Sequence, residues 1–477
     1  MQQSTDKFKN PKLLSLVTIQ LLQSFTFYGV RSLLVLYLTK NLFFSDQNAL
    51  SLYGNIMALL YLTPLLGGIL LDRYLKPSLV LFLGILLTQF GTLLMIFPNQ
   101  ESFFLGLAIL VMGQGFFKPI IPFLLDYFYK DQDSTRVARY TVYYVMLNIG
   151  ACLSPFLCGF VSKLYGISYA FMVVSTGSLT AFYLAFKLIR KEILSPLTWG
   201  ESSSSLLYIL PSIGVLFILL SNPHWIDFLL VALLPIVLGY LASKYFLSSE
   251  KRCMRDIVIC LLSFCLFVTL FEQVGGSMIL FIERFVNRDM FGISDIPAST
   301  FLGLNPLFLI LSSGIVAKVG HSLEEKGLRL SSFIRIGIGF LFISFGFLIV
   351  WQLSGLYILG EKLNAVWILI TLFLHSLGEL FIVPTTLSLI TRLAPLKEKG
   401  LYLGLWGISV AYGHLLASTM GRLGLSSGSN EFLSSANYQY IFLWATALSF
   451  CLCVVLLLLD QLKKRTKREG EVGSTHR

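Results

Sequence analysis

The sequence predicts an all-α integral membrane protein, and three observations support that class. Of the 477 residues, 56% are hydrophobic and only 13% are charged, whereas about 25% are charged in an ordinary soluble domain. The mean hydropathy is +0.78. Apolar runs of about 20 residues or more recur from end to end, and each can cross a hydrocarbon layer of about 30 Å as a helix.

The hydropathy pattern predicts fourteen transmembrane helices. In chain order we place them near 13–40, 50–72, 78–98, 102–128, 138–162, 168–190, 204–221, 225–247, 254–283, 298–320, 331–355, 364–392, 398–422 and 436–462. Segment 200–205 is polar and serine-rich, and the next two helices carry almost no charge, so we interpret that pair as an inserted hairpin. The predicted fold is two six-helix bundles plus two inserted helices.

The predicted domains follow from this division. They are an N-terminal segment 1–12, a first bundle 13–190, a linker 191–253 with the two extra helices, a second bundle 254–462 and a basic tail 463–477. Alternate loops hold most of the Lys and Arg residues, which predicts that both termini are cytoplasmic. The first apolar run is longer than the core of a signal peptide, so we expect it to be retained in the membrane.

Composition also disfavours several classes of function. The net charge of +11 comes from residues in short loops and in the tail, so membrane topology explains it better than nucleic-acid binding. The seven cysteines do not cluster with histidine in a metal-type spacing, and we expect no metal or cofactor. The sequence GQGFF within 102–128 lacks the Lys-Ser/Thr pair of a phosphate-binding loop, so we expect no ATP site and no enzyme activity.

Four ionisable side chains lie deep within apolar stretches: Arg31, Lys118, Glu272 and Glu379. A charge at bilayer depth costs about 2.5 to 3.5 kcal/mol on insertion scales, so such residues usually face a protein interior or a water-filled cavity. One interpretation is that they pair with one another and hold helices together. The other is a cavity for a dipolar ligand, which is favoured because the cations lie in the first half and the anions in the second.

Further polar residues share helix faces with these charges. Gln20, Gln23 or Ser24, Phe27 and Arg31 follow steps of three and four, so they share one face. Lys118 is one turn after Gln114, and Glu379 is one turn after His375. Asn148 and Asn305 are equally compatible with interhelical hydrogen bonds, whereas His375, His414 and Trp406 are more typical of packing.

Several motifs together resemble the proton-dependent oligopeptide transporter family, also called the peptide transporter family, within the major facilitator superfamily. They are FYGVRSLLVLYL from Phe27, LYGNIMALLYLTPLLGGILLDRYL from Leu52, GQGFFKP ending at Pro119, YYVMLNIGACLSP from Tyr143, FEQVGGS from Phe271, LNPLF from Leu304 and GELFIVPTTLSLITRLAP from Gly378. The resemblance covers nearly the whole chain and implies a secondary transporter in the bacterial inner or plasma membrane, with a small peptide substrate and possibly protons as partners.

The resemblance also implies roles for individual residues. Arg31 and Lys118 would hold the peptide carboxylate, and Glu379 and Asn305 would receive the amino end. Asn148 and Tyr28 would bind the backbone, while Tyr61 and Trp406 would shape side-chain pockets. Glu272 would belong to a gating or proton-sensitive site. We expect a monomer.

The first helix departs from the family pattern. Where the family has ExxER, this chain has Gln20, Leu21, Leu22, Gln23 and Ser24, so each ionisable member is replaced. Because Gln cannot exchange a proton near neutral pH, coupling through this site is in question. Val268 and Ile120 also depart from the family, which affects the expected pocket shape.

Three mechanisms remain open from the sequence. The first is proton-coupled import with Glu272 or Glu379 as the titrating group. The second is an uncoupled facilitator or exchanger, and the third is a substrate receptor that does not transport. A changed substrate, such as nitrate, an amino-acid conjugate or an antibiotic, is a further alternative.

Overall fold

The computed structural model of the protein describes residues 11–73, 75–129, 136–190, 209–247, 250–328, 330–355, 361–395, 398–425 and 431–474. The part of the first half that it describes is helical apart from short connections. Its helices are α1 (Pro11–Lys40), α2 (Asp46–Arg73), α3 (Pro77–Leu94), α4 (Gln100–Phe128), α5 (Arg136–Tyr165), α6 (Ile167–Arg190), α7 (Ile209–Ser221) and α8 (Pro223–Leu247).

The second half adds shorter elements to its long helices. In order they are α9 (Lys251–Phe271), α10 (Ser277–Phe285), β1 (Val286–Asn287), a 3-10 helix (Ala298–Gly303), α11 (Leu304–Glu325), α12 (Ser332–Ser354), β2 (Leu363–Asn364), α13 (Ala365–Leu393), α14 (Lys399–Gly424) and α15 (Glu431–Ser474). The two strands form a parallel pair of two residues each.

The predicted fold class is confirmed. Within the described residues, 13 helices are long and apolar enough to span a membrane, and α7 is a shorter apolar helix. Residues 204–208 of the seventh predicted span lie outside the described residues, as do residues 200–203 before it. Because a helix satisfies its own backbone polar groups, this composition is suited to a hydrocarbon environment.

Packing divides the chain into two compact units. The first unit comprises Met1–Ala232, Val274–Leu280 and Ile293–Leu307, and the second comprises Leu233–Gln273, Phe281–Gly292 and Phe308–Arg477. In the first unit α1 packs against α5 and α6, and α4 packs against α2 and α3. In the second unit α12 packs against α13 and α15, and α9 packs against α14 and α13. The domain boundaries predicted from hydropathy stay a prediction.

The prediction of one continuous helix at 254–283 is wrong, because the structure has two helices there. Residues 272–276 form turns between α9 and α10. Gly275 and Gly276 are poor helix formers, and the side chain of Gln273 bonds to the carbonyl oxygen of Ala417 at 3.0 Å. The interruption follows Phe271 directly, so Glu272 lies at a helix end and not in the middle of a helix.

Two further helices differ in their ends. The span predicted at 298–320 begins as the 3-10 helix and continues as α11, in which Pro306 occupies the first turn, where its missing N–H leaves no bond unmade. The span predicted at 436–462 is part of the longer α15, which runs through residues of the predicted tail. Lys464 and Asp460 form an i,i+4 ion pair at 2.8 Å that supports this extension.

Candidate functional site

Arg31 is held by aromatic side chains of α1 and α2. Its Nε donates a hydrogen bond to Tyr53 Oη at 3.1 Å, and its guanidinium carbon lies 5.7 Å from the centroid of the Tyr28 ring. The Tyr53 hydroxyl also lies against Gly275, where an added Cβ would be 2.1 Å away. The cation is therefore oriented by ring and hydroxyl contacts within the first unit.

Lys118 on α4 makes its direct contacts with a carbonyl oxygen and aromatic rings. Its Nζ donates to the Leu60 carbonyl oxygen at 2.8 Å. The same Nζ lies 4.1 Å from the centroid of the Tyr61 ring and 4.8 Å from that of Phe27, and both distances suit cation–π attraction. The structure thus brings Tyr28 to Arg31 and Tyr61 to Lys118; the substrate-binding roles of these residues stay predictions.

The local path of α4 explains how Lys118 reaches α2. Pro119 has no N–H to donate to the carbonyl of Gly115, four residues earlier. That carbonyl oxygen instead faces Gly67 on α2, where an added Cβ would lie only 2.0 Å from it. Two glycines and one proline therefore let the helices touch immediately before Lys118.

The two asparagines have different surroundings. Asn148 on α5 is buried, and its Nδ2 donates to the Tyr144 carbonyl oxygen at 2.8 Å, one turn earlier in the same helix. Asn305 is half-buried at the start of α11 and belongs to the first unit, as do Arg31 and Lys118. The resemblance pairs Asn305 with Glu379, which belongs to the second unit; that pairing stays a prediction.

Gln20, Gln23 and Ser24, where the resemblance would place the ExxER pattern, are buried and make hydrogen bonds to neutral groups. Gln20 Nε2 lies 3.0 Å from Ser24 Oγ. Gln23, 1% exposed, donates to Ser178 Oγ at 3.2 Å and accepts from Gln114 Nε2 at 3.4 Å. The network joins α1, α4 and α6 through amide and hydroxyl groups.

In the second unit, Glu272 lies beside a histidine. Its Oε2 is 3.5 Å from His414 Nδ1 on α14, and the two residues are 6% and 1% exposed. Sequence reasoning favoured packing for His414 and missed this contact. The available signal was that His414, like Glu272, is an ionisable residue far from the ends of a predicted span.

Glu379 and Trp406 occupy other helices of the second unit. Glu379 is half-buried on α13. His375, one turn earlier, is buried, and its ring centroid lies 4.5 Å from that of Phe347 on α12. Trp406 stacks on Phe264 of α9 with centroids 4.4 Å apart. Among the described residues, His, Cys, Asp and Glu form no group that could hold a metal ion.

The fold defines a class of protein before any sequence relative is considered. A crystal structure of a peptide transporter POT in complex with sulfate superposes with a TM-score of 0.82 at 23% identity, covering 94% of each chain. That likeness shows that this chain shares the fold of that transporter.

Sequence comparison then identifies the family. The profile of the POT family matches residues 75–427. The peptide transporter YePEPT of Yersinia enterocolitica is 27% identical over 451 residues, 87% of this chain and 88% of that protein. The dipeptide and tripeptide permease A of Cronobacter turicensis is 26% identical over 487 residues, 99% of this chain and 97% of that one.

The chain belongs to the POT family of peptide transporters, as the motifs predicted. It is a multi-pass membrane transporter and not an enzyme.

Proposed function

We propose that this protein imports dipeptides, tripeptides or similar zwitterions by alternating access, in the manner of transporters built from helical bundles. The observation that carries the proposal is the setting of Lys118, a half-buried ammonium that donates to a carbonyl oxygen and lies beside two aromatic rings. A cation held by neutral groups in a low-dielectric setting is suited to attract a carboxylate.

Further residues have proposed roles in substrate recognition. Arg31 assists Lys118 with the peptide carboxylate, and Glu379 receives the amino end. A site with a cationic and an anionic pole selects a substrate by its charged termini and tolerates varied side chains. The remaining contacts would come from Tyr28, Tyr61, Asn148, Asn305 and Trp406.

We further propose that import is coupled to protons through Glu272, with His414 as its partner. The 3.5 Å contact between them supports this role, because a buried acid and imidazole can share a proton. Helix α13 packs against α9 and carries two further titratable residues, His375 and Glu379. Of these, His375 packs against Phe347, and Glu379 is the alternative titrating group.

The second candidate function is an uncoupled facilitator or exchanger. The neutral network of Gln23, Gln114 and Ser178 favours it, because amides and hydroxyls cannot take up a proton near neutral pH. The third candidate is a receptor that binds the substrate without transporting it.

The deciding experiment is dialanine uptake into proteoliposomes that contain the purified full chain, with and without an inward proton gradient. Accumulation above the external concentration supports coupling, whereas equilibration alone supports the facilitator. Binding without uptake indicates a receptor, and the absence of binding rejects the peptide substrate.

Lys118→Ala tests the carboxylate role directly. Loss of one charge-assisted contact should weaken dialanine binding by about tenfold or more, while Lys318→Ala, at an exposed position on α11, should leave it unchanged. Equal affinities in the two variants would reject the role of Lys118.

Location and assembly are also proposals. We propose that the protein is a monomer in the bacterial inner membrane with both termini cytoplasmic, since the loop charges favour that orientation.

A further inference from the structure

We propose that one end of the second unit binds the headgroup of an anionic phospholipid. The site is a cavity of about 220 Å³ where α9, α12 and α15 meet. We call it the basic cradle. Its lining consists of three cationic residues and four apolar ones: Arg252, Arg255, Lys463, Ile259, Phe333, Leu459 and Leu462.

A buried carboxylate orients the cradle. Asp256 lies behind the cations with its side chain 6% exposed. Arg255 donates to Asp256 Oδ1 at 3.3 Å, and Lys463 donates to Asp256 Oδ2. Because α9 supplies Arg255 and α15 supplies Lys463, Asp256 brings cations from two helices to one place.

Charge is not balanced within the cradle. Its lining contains three cations and no carboxylate, and Asp256 behind it supplies one negative charge, so the lining is net positive. A guanidinium has five N–H donors and an ammonium has three, so Arg255 and Lys463 can bond to Asp256 and still donate to another anion. The side chains of Arg255 and Lys463 are 49% and 52% exposed, which leaves them accessible.

The apolar side of the cradle favours a lipid over a free anion. Lys463 Nζ lies 5.3 Å from the centroid of the Phe333 ring, which fixes the ammonium above an apolar surface. Leu462, next to it, is 57% exposed. A phosphate at the cationic rim would place the glycerol and the first methylenes of a lipid along Ile259, Leu459 and Leu462.

The position of the three cations along their helices agrees with the depth of a lipid headgroup. The apolar spans of α9 and α15 are Lys251–Phe271 and Ala436–Arg465, so the cations lie at span ends. The loop charges predict this end to be cytoplasmic, where anionic lipids create a negative surface potential.

A neighbouring cavity has a lining with a different balance of charges. It measures about 340 Å³ and is lined by Arg392, Lys463 and Lys464 together with the carboxylates of Asp256 and Asp460. Two acids among three cations leave less surplus charge, so the proposal is restricted to the basic cradle.

The test is native mass spectrometry of the purified full chain titrated with phosphatidylglycerol or phosphatidylcholine. We expect phosphatidylglycerol to bind preferentially. Replacing Arg252, Arg255 and Lys463 together by Gln should weaken its binding by about tenfold or more. The matched control replaces Lys187, Lys318 and Lys326 by Gln, an equal charge change at exposed positions, and should have no effect.

Asp256→Asn separates an oriented site from general attraction. This variant raises the local positive charge but removes the anchor, so an oriented cradle predicts weaker binding of phosphatidylglycerol. Stronger binding would overturn the proposal, as would equal affinity for the two lipids or equal losses in the triple variant and its control. Inorganic phosphate that competes at the same concentration as phosphatidylglycerol would also overturn it. If Asp256→Asn does not fold, the exposed triple variant and its control still decide.

Discussion

Replacing Gly67 by Ala should weaken the proposed substrate site without altering a charged residue. The added Cβ would lie 2.0 Å from the carbonyl oxygen of Gly115, whereas real Cβ atoms essentially never come closer than 3.0 Å to a neighbour. Both close atoms are backbone, so no side chain can rotate away, and α2 and α4 must separate by about 1 Å. Overpacking of this kind costs about 1 to 3 kcal/mol of stability.

The same separation acts on Lys118. Its bond to the Leu60 carbonyl oxygen joins these two helices at 2.8 Å, and a separation of about 1 Å stretches it beyond hydrogen-bond length. A hydrogen bond to a charged group contributes about 1.5 to 3 kcal/mol, and a misplacement of about 1 Å in a site can cost about 100-fold. We therefore expect dialanine affinity to fall by about 10- to 100-fold.

The assay combines a thermal unfolding curve with dialanine binding by calorimetry on purified protein. Gly68→Ala is the matched control, because an added Cβ there meets nothing within 4 Å. If Gly67→Ala unfolds and binds as Gly68→Ala does, the close packing of α2 on α4 is refuted. If it loses stability but keeps affinity, the packing stands and the link to Lys118 is wrong.

Two further predictions concern proton coupling. Glu272→Gln should abolish the response of uptake to an imposed pH step. The control Glu325→Gln, which alters an exposed Glu–His pair with His321 at 3.3 Å, should preserve that response. A response that survives in Glu272→Gln would assign coupling to another group. Gln23→Glu puts a carboxylate among the neutral partners of Gln23. A buried acid that ionises without a nearby cation destabilises the protein. The melting temperature of the variant should therefore lie below that of the wild type, and the difference should be larger at pH 8 than at pH 5. Equal differences at the two pH values would show that the network tolerates charge.

The fold was largely predictable, because membrane helices depend on long apolar runs that are visible in one sequence. The interruption after Phe271 was not predicted, although it contains Gly275 and Gly276. Hydropathy does not register it, since glycine and valine continue the apolar run. A tertiary contact accompanies the interruption, the bond from Gln273 to Ala417, which links residues 144 apart in sequence.

The candidate site was predictable in its charges but not in its contacts. Arg31 and Lys118 were identified because charge is expensive at membrane depth. Their partners were not, since the carbonyl of Leu60 and the hydroxyl of Tyr53 come from another helix. His414 was underestimated because a single histidine on an apolar helix is usually a packed residue, and its neighbour Glu272 is 142 positions away in sequence.

The neutral hydrogen bonds of Gln20, Gln23 and Ser24 restrict which residues could couple transport to protons. Removing only one charge from a buried ionic cluster leaves its partner uncompensated, which costs about 3 to 5 kcal/mol. Gln20, Gln23 and Ser24 stand where the resemblance would place ionisable residues, and Gln23 bonds to the neutral side chains of Ser178 and Gln114. These three positions therefore contribute packing and hydrogen bonds but no group that titrates near neutral pH. If uptake proves to be driven by protons, the titrating group must lie outside these three positions, and the group that we propose is Glu272, whose Oε2 lies 3.5 Å from His414 Nδ1.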